Sequence, residues 1–154
     1  MLFLLFQLGP DRYAIDTRRI AEVLPLVTLK QLPHAPAGVA GVFNYRGAPV
    51  PVVDLSAIAL GRPSEPRLNT RILLVQCPNT NGGGCLLGVI VEHATEVVRR
   101  DVTDFVASGV ANARAPYLGP VASDARGLTQ WIDVETLLPM SVRRALFEAP
   151  ATVN

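Results

Sequence analysis

One arginine in this 154-residue chain stands where a side chain can do recognition chemistry. Arg46 precedes Gly47 within residues 38–55, GVAGVFNYRGAPVPVVDL, where apolar runs on either side flank Asn44-Tyr45-Arg46-Gly47. That order predicts a strand, a tight turn and a second strand. Gly47 supplies a positive φ without steric cost, and Asn44 can cap the turn through its side chain. Pro49 and Pro51 cannot donate to a ladder, which predicts an edge strand or a barrel rim. Arg46 then projects from the turn into whatever faces the hairpin.

Catalytic chemistry finds no comparable placement. There is no G-x-S-x-G and no second histidine near a serine, and Gly82-Gly83-Gly84 lacks the Lys and Ser/Thr of a phosphate loop and falls between strands. His34 and His93 share no ligand spacing with Cys77 or Cys85, so neither a metal nor a cofactor site is expected. Asp54, Glu92, Asp101 and Asp133 fall near strand or helix ends, where caps or surface charges account for them. Cys77 and Cys85 bracket PNTNGGG (78–84), a hairpin-loop composition. A disulfide across it is conceivable, but the lack of a secretion signal favours a reducing cytosol and two free thiols in adjoining strands.

Composition narrows the partner classes. Fourteen basic against thirteen acidic residues leave a net charge of +1, without a basic cluster and with three tyrosines and one tryptophan, which argues against nucleic acid. A 49% hydrophobic content promises a packed core rather than disorder. The opening MLFLLFQL is too short to span a bilayer, follows no basic region and precedes no small-residue cleavage site; it reads as a strand in a cytoplasmic protein without membrane insertion.

Positioning such a turn requires a β scaffold, and the chain supplies one. Residues 2–15 read as a hairpin about Gly9-Pro10-Asp11-Arg12, and Asp16 or Thr17 can cap one helical turn through Arg19. An apolar segment from Ile20 is broken at Pro25, and Asp54 leads into a short helix ended by Gly61. RPSEPRLN (62–69) reads as the connection between two halves. Beyond it, residues 70–76, 85–91 and 94–99 predict a three-strand meander with Glu92-His93 as a tight link. Residues 101–116 predict an irregular loop with one helical turn near Thr103. A last hairpin turns about Asp124-Ala125-Arg126-Gly127, Asp133 caps a short helix, and Ser141 can cap another. About ten short strands in two sets of roughly five, with little helix, close most naturally as two small barrels.

Across these elements, Phe6-Gln7-Leu8, Tyr13-Ala14-Ile15-Asp16, Ile20-Ala21-Glu22-Val23, Pro33-x-x-Pro36, Gly41-Val42-x-Asn44-x-Arg46-Gly47 and Pro51-Val52-Val53-Asp54-Leu55 form a pattern. It continues in Thr70-Arg71-Ile72-Leu73-Leu74-Val75, Leu87-Gly88-Val89-Ile90-Val91-Glu92, Glu96-Val97-Val98 and Ile132-Asp133-Val134-Glu135-x-Leu137-Leu138. The chain resembles the CheW-like chemotaxis coupling proteins over nearly its whole length; the N-x-R-G turn followed by P-V-x-D-L is the specific part.

The resemblance implies a mainly β fold of two intertwined five-stranded SH3-like barrels with a few short helices. It implies a single domain over residues 1–154, with one subdomain at roughly 13–68, a second at roughly 69–132, and the N-terminal strand and C-terminal helix packing across both. It implies a non-catalytic adaptor, without cofactor, that bridges a chemoreceptor's cytoplasmic tip to a CheA-type histidine kinase at membrane-bound receptor complexes. Its partner-binding residues would be Glu22, Gly41, Asn44, Tyr45, Arg46, Gly47 and Val97. Glu22 matches an acidic residue that pairs with the turn arginine, and the pair can hold two strands together, form the receptor surface, or do both. Tyr45 stands where leucine is usual, Glu92-His93 replaces the commoner Asp followed by a small or apolar residue, and the loop after Asp101 lacks the usual proline pair. TRRIAEVLPL (17–26) and HAPAGVAGVFNYRG (34–47) resemble most the short coupling proteins of Wsp-type surface-sensing pathways, which control a cyclic-di-GMP-producing output.

Two rival readings stand beside the adaptor. One is the regulatory domain of a histidine kinase, which is of this same type; a start at Met1 and an end about sixteen residues past Leu138 favour a free-standing protein. The other is a small β-barrel that binds a ligand.

Overall fold

Turn chemistry sets most strand boundaries in the computed structural model, which describes residues 1–77, 85–110 and 113–147. Strands β1 (Leu2–Leu8) and β2 (Asp11–Asp16) meet across Gly9-Pro10, with Leu8 opposite Asp11. The Asp16 carboxylate accepts the Arg18 N–H and so caps the 3-10 turn Thr17–Arg19, after which β3 (Ile20–Pro25) stops at its proline. β4 (Val39–Tyr45) and β5 (Ala48–Asp54) form the expected central hairpin. Helix α1 (Leu55–Leu60) starts on an Asp54 cap and ends at Gly61, whose φ of 75° no side chain would favour. Then follow β6 (Arg71–Cys77), β7 (Cys85–Arg99), β8 (Phe105–Val106), β9 (Leu118–Asp124), β10 (Gly127–Ile132) and α2 (Met140–Phe147).

The strands make two sheets that share β7. In the first the order is β4-β5-β7-β6-β3, with β5 and β7 parallel and the other pairs antiparallel. Its edge strands β3 and β4 do not pair directly, yet a backbone bridge between Lys30 and Val42 (2.8 and 2.9 Å) draws the chain leaving β3 back onto β4 and closes a barrel. In the second the order is β7-β1-β2-β10-β9-β8. Arg100 N–H donates to the Met1 carbonyl just past β7 (2.9 Å). The fold is mainly β, as expected; two small barrels are what the strand count predicted, and their SH3-like form is what the resemblance implied.

One strand departs from the expected meander. Residues 85–91 and 94–99 are a single 15-residue strand rather than two, and its break in register is a bulge: Leu5 of β1 faces Glu96 while Gln7 faces Glu92. His93 carries that bulge at a φ of 54°, a left-handed value that histidine tolerates better than most residues. Because β7 bends there, its first half serves the first barrel and its second half the second. The division between barrels therefore falls inside β7, and β6 lies in the first barrel, between β3 and the first half of β7.

The proline-rich connection is clamped. Ser64 donates to Asp54 through both its N–H (2.7 Å) and its hydroxyl (2.6 Å), and Glu65 N–H donates to Glu92 (3.2 Å). Asp54 and Glu92 are 6% and 7% exposed, so these carboxylates satisfy backbone donors inside the fold. Asp101 and Asp133 cap the 3-10 turns Val102–Asp104 and Val134–Thr136, as expected. Ser141 caps nothing: α2 begins before it, and Val142 and Arg143 donate to the Pro139 carbonyl. Pro49 and Pro51 confine β5 to one neighbour only over its first half, because past Pro51 residues Val52, Val53 and Asp54 pair with β7.

Three clusters make up the core. Val50, Val52, Ile72, Leu74 and Ile90 pack inside the first barrel. Phe3, Leu5 and Ala14 fill the second, where Phe3, Phe105 and Trp131 meet with ring centroids 4.9 to 5.2 Å apart. The third and largest lies between the barrels and takes Leu4, Phe6 and Ile15 from one, Leu73, Val75 and Val89 from the other, and Val142, Leu146 and Phe147 of α2. At roughly 1.5–3 kcal/mol for each large side chain fully buried, this shared layer makes the two barrels one folding unit.

The expectation of free thiols fails. Cys85 is disulfide-bonded. Its register partner on β6 is Cys77. Strand register decided what the compartment argument could not. The PNTNGGG loop itself lies outside the described residues.

Candidate functional site

The hairpin tip has the geometry that its sequence requires. Tyr45 pairs with Ala48, leaving a two-residue loop in which Arg46 and Gly47 have φ of 50° and 86°; both positive values define a type I′ turn. Asn44 accepts the Gly47 N–H through its side-chain oxygen (2.8 Å), as expected. An ideal Cβ on Gly47 would touch nothing, so glycine is needed there for its conformation alone. Arg46 has no such freedom. An L side chain in the left-handed region costs roughly 1–2 kcal/mol, and this turn position ordinarily takes Asn, Asp or Gly.

Barrel closure brings Glu22 to this tip. β3 and β4 are the two unpaired edges of the first sheet, and three side chains span them. The Tyr45 hydroxyl donates to Glu22 Oε1 at 2.6 Å, while Arg46 Nη2 approaches the same oxygen at 3.4 Å. The Arg46 side chain is 77% exposed against 37% for Glu22. Its guanidinium carbon lies 5.1 Å from the centroid of the Tyr45 ring, within cation–π range. The half-buried Tyr45 packs edge-on to Phe43 at 6.2 Å. Its phenol is pushed above the usual tyrosine range, first by the hydrogen bond to Glu22 and then by desolvation, with Arg46 pulling the other way.

The predicted residues thus separate by role. Glu22, Tyr45 and Arg46 meet; Asn44 and Gly47 shape the turn that presents them. Gly41 is buried in β4, where a Cβ would lie 2.5 Å from the Lys30 carbonyl oxygen and 2.9 Å from Leu29 Cβ, so its place is beneath the bridge that closes the barrel. Val97 belongs to the second sheet, opposite Leu4, and is 55% exposed. Pairing Glu22 with Arg46 alone overlooked Tyr45, which makes the shorter contact. Its one sequence signal was a hydroxyl-bearing ring where leucine is usual.

Other concave surface is present. A groove of about 620 Å³ runs between the 3-10 turn Thr17–Arg19 and strands β9 and β10, with Trp131 and Pro116 as apolar floor. The one carboxylate of that groove that is buried, Asp16, is gripped by Arg18 (2.8 Å): burial pushes its carboxyl up, but the Arg18 hydrogen bonds outweigh it and hold it below the usual range. Among the described residues no group of three or more His, Cys, Asp and Glu is gathered as a metal ion would need, and no helix is long and apolar enough to cross a membrane.

The CheW-like domain model matches residues 2–142 of the chain. The chain is 26% identical over 145 residues to a chemotaxis protein CheW of Rhizobium meliloti (strain 1021), covering 91% of this chain and 88% of that protein. It is 28% identical over 102 residues to a chemotaxis protein CheW of Helicobacter pylori, covering 66% and 59%. Its fold is similar to that of the scaffolding protein TtCheW from Thermoanaerobacter tengcongensis, with a TM-score of 0.79 at 22% identity over 92% of this chain and 89% of that one.

Proposed function

Because the chain belongs to the CheW-like domain family, we propose that it is a non-catalytic adaptor that couples the cytoplasmic tip of a methyl-accepting chemoreceptor to a CheA-type histidine kinase. It acts in the cytoplasm, at membrane-bound receptor complexes. The observation that carries this reading is Arg46: an exposed guanidinium kept at a strained left-handed position on a turn held by the Asn44 side chain. Strain at a surface residue that contributes little to the core points to recognition. The Rhizobium and Helicobacter relatives are chemotaxis proteins, and the Thermoanaerobacter protein is a scaffolding protein.

A ligand-binding barrel would need a cavity inside one of its barrels. Side chains fill both: Val52, Ile72 and Leu74 have no exposure in the first, nor has Phe3 in the second. A Wsp-type output through a cyclic-di-GMP-producing response regulator is the finer part of this proposal. It rests on TRRIAEVLPL and HAPAGVAGVFNYRG, and deletion of the protein would then lower cellular cyclic-di-GMP on surfaces.

The adaptor reading is tested by reconstituting receptor and kinase with and without the protein. Receptor-dependent phosphorylation should require it. Equal phosphorylation in both reactions would sink the reading.

A further inference from the structure

Glu22 has two suitors and one of them holds it. The phenol of Tyr45 makes a 2.6 Å O–H···O⁻ bond to Oε1, the length of a charge-assisted bond, whereas Arg46 reaches the same oxygen only at 3.4 Å, near the limit of a hydrogen bond. A guanidinium carries five N–H donors in a planar fork, and this one directs a single long contact at Glu22 while most of its side chain meets solvent. The Tyr45 ring lies under it at 5.1 Å, a cation–π contact that occupies no donor.

Tyr45 also fastens the barrel. Glu22 and Tyr45 lie on the two edge strands that have no ladder between them, so their bond is a side-chain rivet at the tip, and the Lys30–Val42 bridge is its backbone counterpart. A leucine at this position would offer Glu22 nothing, and the carboxylate would turn to Arg46. The arginine would then be spent inside its own molecule.

We propose that Tyr45 is the specificity-determining residue of this surface: by holding Glu22 through its hydroxyl and stacking beneath the guanidinium, it leaves Arg46 to grip a carboxylate side chain on the receptor tip. The planar fork matches a carboxylate bidentately, which an ammonium does not. This rests on the adaptor reading.

The test is a calorimetric titration of the full chain with a purified cytoplasmic-tip fragment of a chemoreceptor from the same organism. Tyr45→Phe keeps the ring and removes the hydroxyl, so Glu22 recaptures Arg46 and affinity should fall about fivefold. Adding Glu22→Gln to Tyr45→Phe removes the competing charge and should return affinity to within about twofold of the wild type, an outcome that general loss of structure does not produce. Arg46→Lys should bind about tenfold more weakly. Independently of any partner, Glu22→Gln should lower the titration midpoint of the Tyr45 phenol, read by absorbance or NMR. Wild-type affinity in Tyr45→Phe, or a double variant no better than Tyr45→Phe alone, overturns the inference by itself. Absence of binding by the wild-type chain overturns the adaptor reading and this inference with it.

Discussion

Replacing Arg46 by glycine and by alanine separates what this residue does for the fold from what it does for a partner. Its ion pair with Glu22 is exposed and 3.4 Å long, a kind that contributes between roughly 0 and 1 kcal/mol. The contact with the Tyr45 ring adds about 0.5–1 kcal/mol. Against these stands the left-handed backbone, φ 50°, which costs an L residue about 1 kcal/mol and glycine nothing. Arg46→Gly loses the contacts and relieves the strain, so its stability should stay within about 1 kcal/mol of the wild type. Arg46→Ala loses the contacts and keeps the strain, so it should lie about 1 kcal/mol lower, a melting shift of roughly 2–4 °C. Binding should follow another order. A charge-assisted hydrogen bond to a receptor carboxylate is worth roughly 1.5–3 kcal/mol, so both variants should bind the tip about ten- to a hundredfold more weakly. Circular dichroism melts beside calorimetric titrations give both numbers. Wild-type affinity in a folded Arg46→Gly protein, or a loss beyond about 3 kcal/mol in Arg46→Ala as a buried pair would give, refutes the reasoning.

Asp124 gives the fold an acid-side dependence. It accepts the Arg126 N–H (2.8 Å) and bonds from Arg12 (3.1 Å) and Arg100 (2.8 Å), and these partners, the Arg126 N–H foremost, hold its carboxyl below the usual range. A lowered folded value means that the contribution is complete above the unfolded carboxylate value of about 4 and is lost as pH falls through the folded one. Melting temperature should therefore drop as pH falls below about 4, and less steeply in Asp124→Asn; identical slopes in the two proteins would remove Asp124 from the account. The disulfide at Cys85 predicts no reactive thiol in denaturant without reductant. Closing a loop of this length constrains the unfolded chain by about 2.5 kcal/mol, so Cys85→Ser should lose roughly that much in urea melts, and two thiols found in the untreated protein would contradict the bond.

What could be read along the chain was whatever depends on near neighbours. Gly9-Pro10, Arg46-Gly47 and the turn before Gly127 announce their hairpins through local chemistry, and Asp16, Asp54, Asp101 and Asp133 announce their caps for the same reason. The passage of β7 through His93 was illegible because a left-handed residue within a strand looks, in sequence, like a link between two strands. The candidate site was half legible. Its arginine declared itself by standing in a turn, but which group holds Glu22 depends on how closely two unpaired edge strands approach when a barrel shuts, and no local pattern encodes that distance. Position 45 converts that distance into specificity. A side chain long enough to cross the gap and carry a donor closes the barrel on Glu22 and leaves Arg46 outside, whereas an apolar one fills the gap and leaves both charges to each other. On this account a substitution that looks like core variation from the sequence alters the surface offered to a partner, because the same hydroxyl fastens the edge strands and frees the guanidinium.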